Sequence, residues 1–376
     1  MATLQQIRSI LRITLADGVG PAIFRRLIEA FGDIDSVVAA GGVQWTRVKG
    51  IGPKIRAGLE AVTEATVDEE LALAEKLGVT LLTADDECFP PALKQLVDCP
   101  PLIYVRGRLL MTDATAIGIV GSRNCTHYGL EQAQRFGGLL GRAGFTVASG
   151  GARGIDTASH RGAMDAGGRT VAVMGCGLAT LYPPENAELF SRIASEDCGA
   201  ILSELPLRTE IRAGHFHSRN RIISGMSLGV LVVEAARRSG SLITARQATQ
   251  QNREVFAIPG HVDSPLSAGT NELIREGAIL TTCLEDMLEH LGGVGETIQG
   301  QIDAEAPEPD TIPTNLDATE TLLLTALKSD GAMHVDALAT HTGLESASVI
   351  SAMTMLVLKG HVAQQPGNIF AFKSRA

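Results

Sequence analysis

The chain of 376 residues has no excess of basic residues. It carries 42 acids against 32 Lys and Arg, a formal net charge of −10. A protein that coats nucleic acid through bulk positive charge is thereby excluded, and any nucleic-acid site must be a local patch on an acidic body. Cysteine is sparse. Cys88, Cys99, Cys125, Cys176, Cys198 and Cys283 are scattered, with no CxxC pair and no Cys/His cluster at zinc spacing. That pattern reads as reduced thiols in a reducing compartment, not a disulfide framework or a metal centre. No apolar run reaches the roughly 18 residues of a membrane span, and the first residues lack the layout of a signal peptide, so a cytoplasmic location is expected. Two nucleotide-binding signatures are also missing. GxGxxG is absent after the first strand of the central segment, and no Walker lysine motif occurs.

What is present divides into segments. Residues 1–84 read as a helical domain, because apolar positions recur at helical spacing in IRSILRITL and AIFRRLIEAFG. Gly18–Pro21 (GVGP) and Gly50–Pro53 (GIGP) sit between helical stretches. They read either as helix-hairpin-helix turns that offer backbone N–H groups to a phosphate, or as tight turns with proline at the first helical position.

Residues 85–291 begin with the proline-punctuated DDECFPPALKQLVDCPPLIYVRG and then alternate short apolar runs with amphipathic stretches. AIGIVG, FTVAS, TVAVMG, AILSE, LGVLVVE, EVFAI and AILTT read as strands; between them lie helices, one of them expected near Ser218–Met226. Strands that are apolar throughout and alternate with helices indicate an α/β fold, a Rossmann-like parallel sheet covered on both faces. Residues 292–317, which include QIDAEAPEPDTIPTNLD with five acids, three prolines and no Lys or Arg, read as an extended, mobile linker. Residues 318–376 read as three helices and two short strands, the order of a winged helix. They hold four acids and four Lys or Arg, so a basic footprint for duplex DNA is lacking and a partner-binding or weak duplex-binding role is expected.

Ligands of such sheets bind beyond the carboxyl ends of the strands. Four glycine-bearing loops fall there: Gly121-Ser122-Arg123, Ser149 to Gly154, Gly175-Cys176-Gly177, and Ser239-Gly240-Ser241. Glycines let backbone N–H groups approach an anion. Ser122, Ser149 and Ser241 add hydroxyl donors, and Arg123 and Arg153 add guanidinium groups suited to phosphate. The stretch Arg208–Arg221 carries four arginines against one acid in 14 residues of an acidic chain, with Phe216 and two histidines, His215 and His217, among them. Arginines that grip a backbone, beside a ring on which a base can stack, are what single-strand binding requires. Arg219 and Arg221 are expected to open a helix whose N-terminus favours phosphate. The opposing reading makes Arg221 part of a structural salt bridge. On the binding reading, Arg123→Ala and Arg219→Ala should each weaken single-strand binding and leave the fold intact.

These motifs resemble the DNA-processing protein A family, also called DprA or Smf. The matching stretches are GIVGSR at 118–123, SGGARGIDTASHRGA at 149–163, GCGL at 175–178, YPPEN at 182–186, SE at 203–204, RNRIISGMS at 219–227, EA at 234–235, SGSLITA at 239–245, IPG at 258–260 and SAGTNELIREGA at 267–278. The resemblance implies a sterile-alpha-motif-like N-terminal domain, an extended Rossmann-like fold and a winged helix. It implies a homodimer that holds incoming single-stranded DNA in natural transformation, protects it and loads the recombinase RecA on it. By position, Ser122, Arg123, Gly150 and Gly151 would hold phosphates, Phe216 would stack a base, and Arg219, Asn220 and Arg221 would complete the pocket, with Arg153, Arg212 and Ser241 beside them. His217 stands where the family has proline. The region Glu272–Leu291, with Leu273, Ile274, Ile279, Met287 and Leu291, is the candidate dimer surface.

Related Rossmann-like folds hydrolyse nucleotide derivatives, which makes a nucleotide-binding hydrolase the alternative. Its acid–base candidates are Glu204, Asp156, His160 and Glu234. No paired carboxylates at metal spacing and no nucleophile–base pair stand out, so a binding protein without cofactor or metal is the expectation.

Overall fold

Seven of the nine strands in the main sheet belong to one parallel run. The computed structural model describes residues 2–195, 198–305, 316–359, 361–365 and 367–372. The strands are β1 Val79–Leu82, β2 Ile103–Gly107, β3 Ala116–Val120, β4 Thr146–Ser149, β5 Thr170–Val173, β6 Gly199–Ser203, β7 Gly229–Val232, β8 Glu254–Ala257 and β9 Ile279–Leu280. They are ordered β1-β2-β6-β5-β4-β3-β7-β8-β9, parallel from β6 to β9, with β1 and β2 added antiparallel. Every residue of β3, β4, β5, β6 and β7 is buried, as expected for strands covered on both faces.

From β3 the chain steps to β4, β5 and β6 on one side, then returns to place β7, β8 and β9 on the other. The strand order therefore reverses between β3 and β7. Val120 pairs with Val232 at the carboxyl ends of those two strands, and Ser122 N donates to Glu234 O at 2.8 Å just beyond them. Crevices at such switch points are where open α/β sheets bind ligands.

β1 lies before residue 85, so the sheet begins inside the segment read as helical. A four-residue strand at the end of helix Glu64–Leu77 is too short to carry a period of its own. The N-terminal helices also share their apolar cluster with one face of the sheet: Leu11, Leu27, Val37, Leu59 and Val67 pack with Tyr104, Met174, Leu178, Phe190 and Ile201. The opposite face packs Phe89, Leu93, Ile222, Ile223 and Ala245 against β2, β3, β5 and β7. Helices His127–Arg142 and Ile155–Asp165 cross closely because glycines meet backbone there. A Cβ on Gly162 would overlap Gln134 O, and one on Gly137 would overlap Ser159 O.

The chain divides into compact units 1–301 and 302–376. The segment read as an extended linker starts with a helix, Gly292–Glu305, since its prolines all lie further on; residues 306–315 fall outside the described ones. The second unit has helices Ala318–Asp330, Val335–Thr342 and Ser346–Leu358, and strands β10 Met333–His334, β11 Val362–Gln365 and β12 Ile369–Phe372 in the order β10-β12-β11. This is a winged helix with one short strand more than expected. Val349, Met353 and Leu356 of its third helix are fully buried, packed with Leu323, Leu338 and Phe370. Among the described residues no helix is long and apolar enough to cross a membrane.

Candidate nucleic-acid interface

The loop after β3, the loop after β7 and one face of helix Ala213–Met226 enclose a cavity of about 490 Å³ at the switch point. Gly121, Ser122 and Arg123 line it from β3, Ser239, Gly240 and Ser241 from β7, and Phe216, Arg219 and Asn220 from the helix. Arg123 is exposed, and its guanidinium lies 4.5 Å from the centroid of the half-buried Phe216 ring. The ring and the cation thus form one stacked plate on the rim. Arg123, Phe216 and Gly150 also line a smaller neighbouring cavity with Arg153, Gly175 and Tyr182.

The structure brings Ser122, Arg123, Phe216, Arg219, Asn220 and Ser241 to one groove, with Gly150 and Arg153 beside it. Their surroundings differ. Ser122 Oγ accepts from Asn124 N at 3.2 Å, which shapes the loop. Arg153 is held over Tyr182, 5.7 Å from the ring centroid, and ion-pairs with Glu185. Arg219 is only 5% exposed. It donates to Gly150 O at 2.6 Å and to Val173 O, and its Nε donates to Asn220 Oδ1 at 3.1 Å. Burial lowers its pKa to about 10, against the pull of Asp156. Gly150 is glycine because a Cβ would fall within the Arg219 guanidinium. The Gly150 amide does not face a ligand: Gly150 N and Ala152 N donate to Asp156 Oδ2 at 3.1 and 3.3 Å.

Three expected site residues lie elsewhere. Gly151, at φ +63°, backs onto Phe190, and its carbonyl accepts from Asn186 Nδ2 at 2.9 Å. Arg212 is exposed at the N-terminal boundary of helix Ala213–Met226 and lines neither cavity. Arg221 is 7% exposed and turned to the opposite side, where it ion-pairs with Glu204 and donates to Asp98 O at 2.7 Å. The structural salt bridge is therefore the correct reading of Arg221. The expectation that Arg219 and Arg221 open a helix is also corrected: the helix starts at Ala213, so both sit in its interior. It runs unbroken through His217, whose carbonyl accepts from Gln247 Nε2 at 3.2 Å.

Ser239 and Gly240 of the fourth glycine loop line the groove as well, and so do Asn124 and Thr244, which were not singled out from sequence. The SGSLIT spacing could have found Thr244, because Ser241 and Thr244 are three apart at a helix start and share a face. Glycine turn Gly18–Pro21 faces the body of its unit, lining a cavity with Leu102, Tyr104 and Leu205, while Gly50–Pro53 is largely exposed.

The four acid–base candidates are held in structural roles. Glu234 accepts from Thr126 N at 2.8 Å and Thr126 Oγ1 at 2.7 Å. Asp156 holds the amides named above, and burial raises its pKa. Glu204, whose pKa burial also raises, pairs with Arg221. His160 is fully buried, within 2.6 Å of Thr170 Oγ1, and burial lowers its pKa to about 3. Among the described residues there is no cluster of His, Cys, Asp and Glu that could hold a metal ion.

The chain is similar to known proteins over most of its length. Residues 80–292 match the family model of DNA recombination-mediator protein A, and residues 305–368 match the DprA winged helix domain. Protein Smf of Escherichia coli is 39% identical over 302 residues, 80% of either chain. The DNA processing protein DprA of Streptococcus pneumoniae is 41% identical over 204 residues, 54% of this chain and 71% of that one. The X-ray structure of the Streptococcus pneumoniae protein superposes with TM-score 0.64 at 31% identity, covering 77% of this chain and 98% of that one. The DNA processing protein A of Helicobacter pylori, solved for its single-stranded DNA binding mode, superposes with TM-score 0.50 at 27% identity over 60% of this chain and 96% of that one.

Proposed function

Since the chain belongs to the DNA recombination-mediator protein A family, we propose that it binds single-stranded DNA in the switch-point groove, protects incoming strands and loads RecA on them in natural transformation. The observation that carries this reading is the Arg123–Phe216 plate on the groove rim. An exposed guanidinium can grip a phosphate while the ring beside it takes a base, and neither contact depends on sequence. Ser122, Asn220 and Ser241 supply neutral donors around it, with Arg153 flanking and Arg219 as buried positive charge. The Helicobacter pylori neighbour with its single-stranded DNA binding mode supports the same ligand. The recombination-mediator family supports RecA as partner.

The protein acts by binding and not by turnover, in the cytoplasm, without cofactor or metal. Supporting this, each candidate acid or base is committed to a backbone amide, a hydroxyl or an arginine. It works as a homodimer through the edge of the sheet at β9, where Leu280 is 49% exposed and Leu273, Ile274 and Ile279 are half-buried. Met287, fully buried, is core and drops out of that surface.

The test is a gel shift comparing single- and double-stranded oligonucleotides across a salt series, with Arg123→Ala alongside. Preference for the single strand, lost with salt and weakened in the variant, is expected. Equal binding by wild type and variant at every salt concentration would dismiss the groove. A nuclease and nucleotide-hydrolase assay with a metal series should stay at background.

A further inference from the structure

We infer that the corner of the groove closed by Ser239, Ser241 and Thr244 takes a phosphomonoester, the end phosphate of a strand or of a free nucleotide, in preference to the diester between two nucleotides. The inference rests on the groove being the single-strand site and adds a selectivity to it.

The corner is the N-terminus of the ten-residue helix Ser241–Gln250, aimed into the switch-point cavity. The first-turn amides have partners of their own: Ser241 N donates to Ser239 Oγ at 3.3 Å, and Leu242 N and Ile243 N donate to the carbonyls of Ser239 and Gly240. The helix therefore contributes its field there, and hydroxyls contribute the hydrogen bonds. Ser239 Oγ and Ser241 Oγ are 2.7 Å apart. One of these hydroxyls donates to the other, which leaves one O–H for a ligand. Thr244 is 1% exposed, lines the cavity, and its hydroxyl has no hydrogen-bond partner. A buried hydroxyl without a partner is destabilising until something accepts from it. Arg123 and Arg219 outnumber Asp156 among the charges lining the cavity, so that something is an anion.

Depth selects the kind of anion. Ser241 is 7% and Thr244 1% exposed. An internal phosphodiester has a sugar on each side and must leave by two exits. A monoester needs one exit, offers three acceptor oxygens and carries nearly twice the charge at neutral pH.

The test uses the full chain and unlabelled oligothymidylates of one length, ended by 5′-hydroxyl, 5′-phosphate or 3′-phosphate, as competitors of a labelled strand. Thymidine and thymidine monophosphate serve as free-ligand probes in a thermal-shift assay. One phosphorylated end should compete about tenfold better than the hydroxyl end, the worth of one hydrogen bond to a charged group. Thr244→Val keeps the shape, and it should bring that ratio toward one, as should Ser241→Ala; circular dichroism checks that both fold. A preference confined to strands identifies the strand end as the source, whereas stabilisation by thymidine monophosphate but not by thymidine extends it to free nucleotides. Equal competition by all three strands overturns the inference and leaves single-strand binding standing. If no strand competes, the single-strand reading fails, and the monophosphate arm alone then decides the subsite: no stabilisation, or stabilisation unchanged in Thr244→Val, overturns it.

Discussion

Arg219 is enclosed by Gly150 O, Val173 O and Asn220 while Arg123 stands in solvent, so replacing each with alanine tests a different property. Arg123→Ala should weaken single-strand affinity and reduce the log–log salt slope by about 0.7, one phosphate contact, with an unchanged circular dichroism spectrum. Phe216→Ala should remove about 1–3 kcal/mol of binding if a base stacks on the ring. Arg219→Ala leaves two buried carbonyls unpaired and Asp156 without its nearest compensating charge. It should lower stability by about 3–5 kcal/mol in urea denaturation, against the expectation from the sequence that this variant keeps its fold. His160 supplies a pH test. Its folded pKa of about 3 lies below the ordinary 6.5, so the unfolded chain binds the extra proton and stability falls as pH drops through that window. The single-proton slope is about 1.4 kcal/mol per pH unit. Asp156 and Glu204 have raised pKa values and act with the opposite sign, stabilising as pH falls. The contribution of His160 is therefore the difference between wild type and His160→Gln in denaturation at pH 7 and pH 5. An identical difference at both values would show that His160 is not buried neutral.

At the scale of elements, the parallel strands were legible because burial on both faces makes them uninterrupted apolar runs. Helix Ala213–Met226 was legible only in its second half, expected near Ser218–Met226. Its first two turns, Ala213–Arg219, mix glycine, histidine and arginine with a single large apolar residue, Phe216, so no stripe announces a helix there and the start reads about five residues late. The consequence reached the site. At the opening of a helix, Arg219 and Arg221 can share a task, but in its interior they point about 200° apart, and one lines the groove while the other ties the helix to Glu204 and Asp98. The loop residues Ser122 and Arg123 could be read because they directly follow a buried strand. Gly150 and Gly151 were read as anion-binding amides, whereas the amides around Gly150 hold Asp156 and the glycines make room for Arg219 and Phe190. Close helix crossing gives a prediction at this scale. Gly162→Ala should force helices His127–Arg142 and Ile155–Asp165 apart, with a loss of about 1–3 kcal/mol. It should also weaken single-strand binding, because the second helix carries the loop that seats Arg219. Undiminished stability in chemical denaturation would refute the crossing.

For the whole molecule, the net charge of −10 repels a polyanion, so affinity depends on a few converging cations and on salt. The winged helix should add little duplex affinity by itself. Its Lys and Arg only balance its acids, and the best-packed face of its third helix is core. A fragment of residues 318–376 that bound duplex DNA sequence-specifically in a gel shift would reverse this.

The first six helices roof one side of the sheet. Their aliphatic residues are the lid over Tyr104, Met174, Leu178, Phe190 and Ile201. A chain started at residue 78 would bare that oily floor to water, and the freed surface would seek another cover by sticking to its own copies. Any experiment that trims the N-terminus to isolate the groove should thus yield a chain that clumps. Loss of DNA binding in such a fragment would say nothing about whether the removed helices touch DNA.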